Sequence, residues 1–427
     1  GKWAQENYVS FETSPGGGVE FPGLSQLTAA VRNAVQYIVS NADLESRPPR
    51  LRPIDAVQAS IYNADSMYAY GFAKTNQAQF VRIHLITREL TNGHNFGAGY
   101  IIDDVFTGHG VVLVCAAEVA TGRRWLYRST DQGATFSAVH QLGISQDGSQ
   151  HNPLVKILAK GLDFGELNGA PAIMFATYNF SNTTRGSVTD QDYIAISVDN
   201  GVTWQRLATF NVGKNSVQHF HVCQWDMYRK AWWVGSGDAD DESMIVRWDG
   251  VTPWPGDKSP VEMAATTGFT VGYGRQRYRT TGLIFTSDWI YSMTDSVGEN
   301  DGGIWRFRGD LTEFHRVDHR VSGTTRYGWM GIQCVDGTLM FIDGCSASTP
   351  DGQRRYHIYA SKTGHRWHDI GRVHLTGTAT VAIPRVLFQA PDGNIWIGGD
   401  FTAGQERQTV ICEQYDLFRE PIPDNII

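Results

Sequence analysis

An apolar run, a turn that contains aspartate and a second apolar run recur along most of this chain, roughly every 45 to 65 residues. The clearest copies are GLIFTSDWIYSMTDS, GIQCVDGTLMFIDGC and VLFQAPDGNIWIGGD, at 282–296, 331–345 and 386–400. Repeats of this length are typical of folds in which each copy forms one small unit that stacks on its neighbours. The repeat therefore restricts the fold more than any other feature of the sequence.

Four looser copies extend the series towards the start of the chain, and they lie at 59–73, 100–118, 154–179 and 221–238. A polar stretch with room for two further strands follows each of the seven copies. Seven units of four strands predict an all-β fold, a seven-bladed β-propeller over residues 53–427. The 46 glycines and the 13 tryptophans, 17 tyrosines and 20 phenylalanines suit strands joined by tight turns.

Residues 1–52 do not carry the repeat and are predicted to form a separate extended and helical segment. One helical stripe is visible in it, formed by Leu24, Leu27, Val31, Val35 and Ile38. The segment SRPPRLRP then predicts extended chain up to the first blade. Because the chain starts at Gly1 without a methionine, we interpret it as a processed or cloned fragment.

Charge and composition exclude several classes of partner. The formal net charge is -8 and no lysine-rich or arginine-rich block offsets it, which argues against nucleic acid. No apolar run approaches 18 residues, so no membrane span is predicted. The five cysteines are scattered without a CxxC pair, which predicts neither a disulfide framework nor a zinc site. No cofactor is predicted.

A second repeat lies between the predicted third and fourth strands. It reads STDQGATF at 129–136 and SVDNGVTW at 197–204, with a degraded copy SKTGHRW at 361–367. This pattern resembles the Asp-box (BNR repeat) of sialidase-like β-propellers. The resemblance implies that Asp131 and Asp199 cap turns on the face away from an active site. The Phe-Arg-Ile-Pro motif and the Tyr–Glu pair of sialidases are not found, so an ordinary exo-sialidase is not predicted.

Propeller geometry predicts where a site would lie. The inner strand of each blade begins on the face where the second strand ends, so these positions form a ring. Inner-strand starts place there a basic set: His151, His219, His221, Arg277, Arg279, Arg326 and Arg385. Second-strand ends add a surrounding set: Glu118, Asn179, Asp238, Asp295, Asp343 and Asp400.

The basic set is suited to binding a carboxylate, because arginines bind carboxylates bidentately in partly dehydrated sites. The predicted substrate-binding residues are His151, Arg277, Arg279, Arg326, Tyr327, Arg385, Tyr178 and Trp329. For the arginines the alternative is pairing within one blade, Arg279 with Asp295 or Arg385 with Asp400. For Trp329 the alternative is burial between blades.

The predicted catalytic residues are His219, His221, Asp238, Asp295 and Glu118. Two carboxyl groups can hydrolyse a glycosidic bond as acid and as base or nucleophile. The loop GDADDES around Asp238 can equally be a solvated acidic loop. Histidines with a tyrosine can instead abstract a proton from a uronate, as polysaccharide lyases do. No metal site is predicted, because the His-x-His pair would need a third ligand such as Asp238 or His151.

These patterns together predict an endo-acting glycoside hydrolase that depolymerises an acidic bacterial surface polysaccharide. The fragment-like start and the helical segment resemble the catalytic module of a bacteriophage tailspike. That resemblance implies an extracellular or virion-associated protein and a homo-oligomer, in a tailspike a trimer. The alternatives are a polysaccharide lyase and a propeller that binds glycan or a receptor without cleaving it.

Overall fold

A computed structural model describes residues 50–57, 59–144, 148, 151–179, 191–211, 219–256, 258–296, 301–318, 326–346, 355–374, 381–401 and 408–415, together with two short strands near the start. The chain divides into two compact units, Gly1–Arg47 and Pro48–Ile427. In the first unit β1 (Glu12–Thr13) pairs antiparallel with β2 (Val19–Glu20). The helix predicted for residues 24–38 lies outside the described residues.

The second unit is a seven-bladed β-propeller, as the repeat predicts, and each blade has four antiparallel strands. Its first strand is β3 (Arg50–Ala56). The other blade strands in chain order are, for blade 1, β4 (Ala59–Ala64), β5 (Tyr68–Ala73), β6 (Asn76–His84) and β7 (Leu90–Asn95); for blade 2, β8 (Tyr100–Gly108), β9 (Val111–Glu118), β10 (Arg124–Ser129) and β11 (Ser137–Gln141); for blade 3, β13 (Leu162–Leu167), β14 (Ala170–Ala176), β16 (Gln191–Ser197) and β17 (Gln205–Asn211). The short strands β12 (Val155–Lys156) and β15 (Tyr178–Asn179) pair with each other in a separate two-stranded sheet.

The remaining blades follow the same order. They are, for blade 4, β18 (Phe220–Asp226), β19 (Ala231–Ser236), β20 (Met244–Trp248) and β21 (Phe269–Tyr273); for blade 5, β22 (Thr280–Phe285), β23 (Ile290–Thr294), β24 (Ile304–Phe307) and β25 (His315–Asp318); for blade 6, β26 (Arg326–Gln333), β27 (Leu339–Ser346), β28 (Arg355–Ser361) and β29 (His368–His374); for blade 7, β30 (Val381–Gln389), β31 (Ile395–Phe401) and β32 (Gln408–Tyr415). Each copy of the repeat in the sequence corresponds to the first two strands of one blade.

Blade 7 takes its fourth strand from the start of the unit. Strand β3 pairs antiparallel with β32, with Arg50 opposite Tyr415 and Ala56 opposite Val410. The two ends of the propeller chain therefore close the ring within a single sheet, which leaves no open edge between the first and last blades. The strand begins at Arg50, so residues 50–52 of the predicted separate segment also pair in this sheet.

A β-bulge interrupts the inner strand in six blades, close to where that strand begins. In each the pairing with the second strand skips one residue, and the skipped residues are Tyr62, Asp103, His221, Thr281, Trp329 and Arg385. Bulges turn a side chain away from the regular alternation and are common beside active sites. Two of these side chains hydrogen-bond to the next blade, Tyr62 to the carbonyl of Ile102 and Thr281 to that of Gly328. The bulges therefore define an equivalent position around the propeller axis.

The turns between third and fourth strands have the hydrogen bonds expected of an aspartate cap. In blade 2 the Asp131 carboxylate accepts from the backbone and the hydroxyl of Thr135, at 2.9 and 2.7 Å. In blade 3 Asp199 accepts from Thr203 in the same way, at 2.9 and 2.5 Å. These bonds favour the ionised form, and the pKa of Asp131 falls to about 2, mainly through the Thr135 backbone bond.

The core lies within and between blades and is rich in aromatic side chains. Trp232, Trp233 and Trp396 are fully buried. One short helix, α1 (Pro260–Ala264), occupies the connection between β20 and β21, and a 3₁₀ turn, Gln276–Tyr278, precedes β22. Within the described part of the chain, no helix has the length and apolar character needed to cross a membrane.

Candidate functional site

Four titratable side chains meet on one face of blades 4 and 5, where the first strand of each blade begins and the second strand ends. His219 directly precedes β18 and Arg279 directly precedes β22. Asp238 follows the end of β19, and Asp295 directly follows β23. Antiparallel pairing brings strand starts and strand ends to the same face, and adjacent blades place the four groups in contact. With His221 and Tyr178 they form what we call the cup cluster.

Arg279 holds the two carboxylates of the cup cluster together. Its Nη2 lies 2.6 Å from Oδ1 of Asp238 and 2.8 Å from Oδ2 of Asp295. Its Nη1 donates to the backbone carbonyl of Asp238 at 3.2 Å, and Gln276 donates to the same carbonyl at 2.9 Å. One guanidinium therefore links the acidic ends of two neighbouring blades. The pairing of Arg279 with Asp295 is the within-blade alternative that the sequence left open.

The imidazole of His219 lies between a carboxylate and a carbonyl. Its Nε2 is 3.0 Å from Oδ1 of Asp238, and its Nδ1 is 3.2 Å from the backbone oxygen of Asn179. Both partners are acceptors, so the ring lies between a negative charge on one side and a carbonyl oxygen on the other. His219 is 1% exposed, so its position depends on these partners and on the rings around it.

His221 occupies the bulge of β18 and is also buried. Its ring centroid is 4.9 Å from that of His219, and its Nε2 is 3.8 Å from Oδ2 of Asp295. Burial, followed by the charges of His219 and Arg279, lowers the pKa of His221 well below its usual value. His221 is therefore neutral at physiological pH, and among the described residues its Nδ1 has no hydrogen-bond partner.

Tyr178 covers the histidines from the side of blade 3. Its ring stacks on His219 at a centroid distance of 4.1 Å and lies 5.8 Å from His221. Burial, then the negative charges of Asp238 and Asp295, raise the pKa of the Tyr178 phenol. The phenol therefore keeps its proton near neutral pH. The Lys156 ammonium lies 6.0 Å from the centre of the same ring.

The two carboxyls differ in acidity although they share one arginine. Burial opposes ionisation of Asp238, but the hydrogen bond and charge of His219 and the charge of Arg279 lower its pKa to about 2. Burial dominates at Asp295 and, with the charge of Asp238, raises its pKa to about 6 despite Arg279. Two neighbouring titratable groups with separated pKa values are the arrangement that acid–base catalysis requires.

Several predicted site residues lie elsewhere. Glu118, at the end of β9, accepts from the hydroxyl of Thr121 at 2.5 Å. His151 forms an isolated bridge with Ile144, and burial lowers its pKa, aided by Arg123 and Arg124. It precedes β13 by a full loop and therefore does not start the inner strand. Neither residue is among the described contacts of the cup cluster.

The other predicted arginines have partners of their own. Arg277 packs against the Tyr278 ring at 4.9 Å from its centroid and donates to the Tyr278 hydroxyl at 2.9 Å. Arg385, in the bulge of β30, is 7% exposed and contacts the buried Asp104 of blade 2 at 3.1 Å. Its described partner is thus on another blade, whereas the sequence alternative had paired it with Asp400.

Trp329 lies in the bulge of β26 and is 8% exposed. It belongs to an apolar cluster that includes Leu158, and Tyr178 packs against this cluster. The structure therefore favours burial of Trp329, the alternative noted from the sequence. Arg326 and Tyr327 are the first two residues of β26, paired with Cys345 and Gly344. Their side chains lie outside what the structure describes.

Three donors in the cup cluster are close enough for one metal ion. One ligand atom from each of His219, His221 and Asp238 lies within 4.8 Å of the others. Two imidazoles and a carboxylate suit a transition metal such as zinc. The Arg279 guanidinium already contacts this carboxylate at 2.6 Å. It supplies positive charge at the same place without a metal ion.

Some contributors were not found from the sequence. Gln276 supports the Asp238 loop from a 3₁₀ turn, and Lys156, which ends the short strand β12, lies against Tyr178. Neither residue starts the first strand of a blade or ends the second. The bulges were also missed, because an extra residue in a strand leaves no periodic signal. A repeated polar or bulky residue near each inner-strand start would have been the available hint.

The fold and the cup cluster define a seven-bladed β-propeller with adjacent acids, histidines and an arginine at one end of two blades. No family model matches the sequence, and no curated protein matches it. The fold of the chain matches 617 solved chains. An ancestral GH74 enzyme is 11% identical with a TM-score of 0.48, over 84% of this chain and 47% of that one. The GH74 xyloglucanase from Xanthomonas campestris is 13% identical with a TM-score of 0.46, over 85% and 55%.

A chain of a mitotic checkpoint complex is also similar in fold, at 10% identity and a TM-score of 0.47, over 84% of this chain and 93% of that one. The present chain thus spans about half the length of the two GH74 enzymes and nearly the whole of the checkpoint chain. At these identities and TM-scores the likeness does not bear on function. Fold alone does not determine function, which depends on the residues of the cup cluster.

Proposed function

We propose that the chain is a glycoside hydrolase in which Asp295 is the general acid and Asp238 the nucleophile. The observation that carries this proposal is the contact of both carboxyls with one Arg279 nitrogen in unequal surroundings, where burial raises the pKa of Asp295 while His219 and Arg279 lower that of Asp238. Both carboxylates touch the same nitrogen, at 2.6 and 2.8 Å, so the two oxygens are at most about 5.4 Å apart. This upper limit lies below the roughly 6.5–9.5 Å that separates the carboxyl groups of inverting glycosidases, so the pair suits a retaining mechanism.

The roles follow from the environments. Asp295 protonates the glycosidic oxygen as the bond to the anomeric carbon breaks, and Asp238 forms a bond to that carbon. Asp295, now ionised, then takes a proton from water, and the resulting hydroxide displaces Asp238. His219 and Arg279 keep Asp238 ionised, while burial keeps a fraction of Asp295 protonated. Within the described chain, one oxygen of each carboxyl makes these contacts and no protein group binds the other.

The substrate class stays a prediction from the sequence, a carboxylate-bearing bacterial surface polysaccharide cleaved within the chain. Arg279 and Arg385 each contact a carboxylate of the protein, which weakens one reason to expect binding of an external carboxylate. The first experiment therefore uses acidic and neutral polysaccharides side by side. If Arg279→Ala and Arg385→Ala bind the acidic ones as well as the parent does, those arginines do not recognise the substrate.

The test of the mechanism uses whichever polysaccharide is cleaved. Asp238→Asn and Asp295→Asn should each lower the release of reducing ends by at least about 100-fold. Asp240→Asn and Asp241→Asn, exposed acids of the same loop, are the matched controls and should retain the parental rate. Azide should restore turnover to Asp238→Ala and yield a glycosyl azide. Full activity in both cup variants, or inversion at the anomeric carbon, contradicts the assignment.

A lyase would use the same cup cluster with a different outcome. Its products carry a new double bond that absorbs in the near ultraviolet, whereas a hydrolase produces only new reducing ends. The raised pKa of Tyr178 makes its phenolate a scarce base at neutral pH. Retention of glycan without either product would identify a binding propeller.

A further inference from the structure

A cavity lies on the face opposite the cup cluster. It has a volume of about 510 Å³ and is open to solvent, and three arginines line it, Arg229, Arg247 and Arg308. Arg229 is in the turn between β18 and β19, and Arg308 follows β24. In each blade, the turn between the first and second strands and the turn between the third and fourth strands lie at the same end. The second strand ends at the opposite end of the blade. The cavity, which we call the arginine pocket, is therefore separate from the site of the proposed hydrolysis.

Arg247 projects from β20, the third strand of blade 4, and is half-buried. Among the described residues it makes no ion pair and no hydrogen bond, and its Nε is a buried atom without a partner. A buried donor of a charged group without an acceptor is costly unless a ligand or water supplies one. Arg247 thus lines the cavity as a cation whose hydrogen-bond donors have no partner among the described residues.

The acids nearest to Arg247 are engaged in their own turns. Asp249 accepts from the backbone amides of Val251 and Thr252 and from the Thr252 hydroxyl, at 2.7 to 2.9 Å. Asp310 accepts from the amide and the hydroxyl of Thr312, at 3.0 and 2.6 Å. These bonds hold both carboxylates against their own loops, which explains why a nearby arginine has no ion-pair partner.

The other two arginines are held in place by the protein. Arg229 contacts the buried Asp226 at 2.9 Å and donates to the carbonyls of Thr286 and Ser287. Arg308 lies 3.8 Å from the centre of the Trp289 ring, donates to the carbonyl of Asp288 and lies 3.6 Å from the Glu313 carboxylate. Fixed guanidinium groups lose little entropy on binding a further acceptor. Three exposed carboxylates also line the cavity, Asp288, Asp310 and Glu313, and they oppose an anion and limit its affinity.

We propose that the arginine pocket binds an oxyanion, a carboxylate, sulfate or phosphate group, with Arg247 as its main charged partner. A planar guanidinium pairs with any of these groups through two parallel hydrogen bonds. A cavity of about 510 Å³ has room for the anion together with one sugar-sized body. The proposal does not depend on the glycosidase assignment, because the pocket and the cup cluster share no residue.

Isothermal titration calorimetry with the full chain tests it, using sodium phosphate, sodium sulfate and sodium glucuronate at an ionic strength balanced with sodium chloride. At least one probe should bind saturably, and the probe that binds identifies the type of oxyanion. Arg247→Gln should weaken binding at least tenfold. Arg82→Gln is the matched control, because Arg82 lies on β6, the third strand of blade 1, outside the pocket.

A gain of affinity completes the test, because misfolding cannot produce it. Asp288→Asn removes an exposed negative charge from the lining and should tighten binding several-fold. The proposal is overturned if no probe binds at concentrations on the order of 10 mM, if Arg247→Gln and Arg82→Gln weaken binding equally, or if Asp288→Asn leaves it unchanged.

Discussion

Tyr178 lies flat against the imidazole of His219, with centroids 4.1 Å apart and ring planes inclined by 26°. The tyrosine belongs to the short strand β15 beside blade 3, and the histidine immediately precedes blade 4. The stack therefore joins two blades at the point where His219 contacts Asp238. Aromatic pairs of this geometry contribute about 0.5–1.5 kcal/mol beyond their buried area, enough to keep the imidazole in one orientation.

Removal of the ring should harm catalysis more than removal of the hydroxyl. Tyr178→Phe keeps the stack, and we expect its kcat to stay within about threefold of the parent. Tyr178→Leu frees His219 to turn away from Asp238, and we expect a loss of about tenfold or more. Rate measurements with melting temperatures of both variants check this. Equal loss in the two variants would instead assign a chemical role to the hydroxyl, as a lyase requires.

Asp295 should control the alkaline side of the pH profile. Since its proton is needed for the leaving group, kcat/KM should fall as pH rises through about 6. A folded-state pKa above the unfolded value means that the folded chain holds the extra proton. The contribution of Asp295 to stability therefore decreases as pH rises from about 4 to about 6. Chemical denaturation across this range should show the decrease in the parent and its absence in Asp295→Asn.

Asp238 should have the opposite effect on stability. Its pKa is lowered to about 2, so its favourable contribution is present above about pH 4 and is lost as pH falls towards 2. Asp238→Asn should remove this part of the acid sensitivity. Unfolding curves between pH 2 and pH 5 measure it, with Asp240→Asn as the control. An unchanged acid limb in Asp238→Asn would show that His219 and Arg279 do not hold this carboxylate ionised.

Arg385 should prove structural. Replacement by methionine leaves Asp104, 1% exposed, without the guanidinium that neutralises it. Loss of one partner of a buried ion pair costs about 3–5 kcal/mol, so we expect a strong fall in the free energy of unfolding. Affinity for glycan in the fraction that remains folded should not change. Lost affinity at unchanged stability would instead support the substrate-binding role predicted from the sequence.

The aspartate turns should contribute to stability alone. Asp131→Ala removes the acceptor of the two Thr135 bonds and should destabilise the chain by about 1–2 kcal/mol. Thr130→Ala, an exposed change in the same turn, is the control and should have little effect. Turnover should be the same in both variants, because the turn lies on the face away from the cup cluster. A large loss of turnover in Asp131→Ala at parental stability would contradict this placement.

Much of the fold and part of the site could be predicted from the sequence. The repeat predicts seven blades because strand and turn chemistry are local, and each blade repeats it. The same repeat predicts that His219, His221, Asp238, Arg279 and Asp295 lie on one face, since strand polarity decides where starts and ends lie. It could not predict that β3 closes blade 7, because a single edge strand carries no periodic mark of its partner.

Only the tertiary structure decided which of those side chains touch. The sequence predicted that Glu118 and Arg385 lie in the same ring as Asp295. Residues of one ring can still be far apart, because contact depends on which blades are neighbours. The β-bulges determine two further contacts. The bulge in β30 directs Arg385 to Asp104, and the bulge in β18 directs His221 into the cup cluster. The pKa separation of Asp238 and Asp295 follows from burial and distance, which no local pattern encodes. The sequence determined the residue types and the face on which they lie, and packing determined the acid–base properties of Asp238 and Asp295.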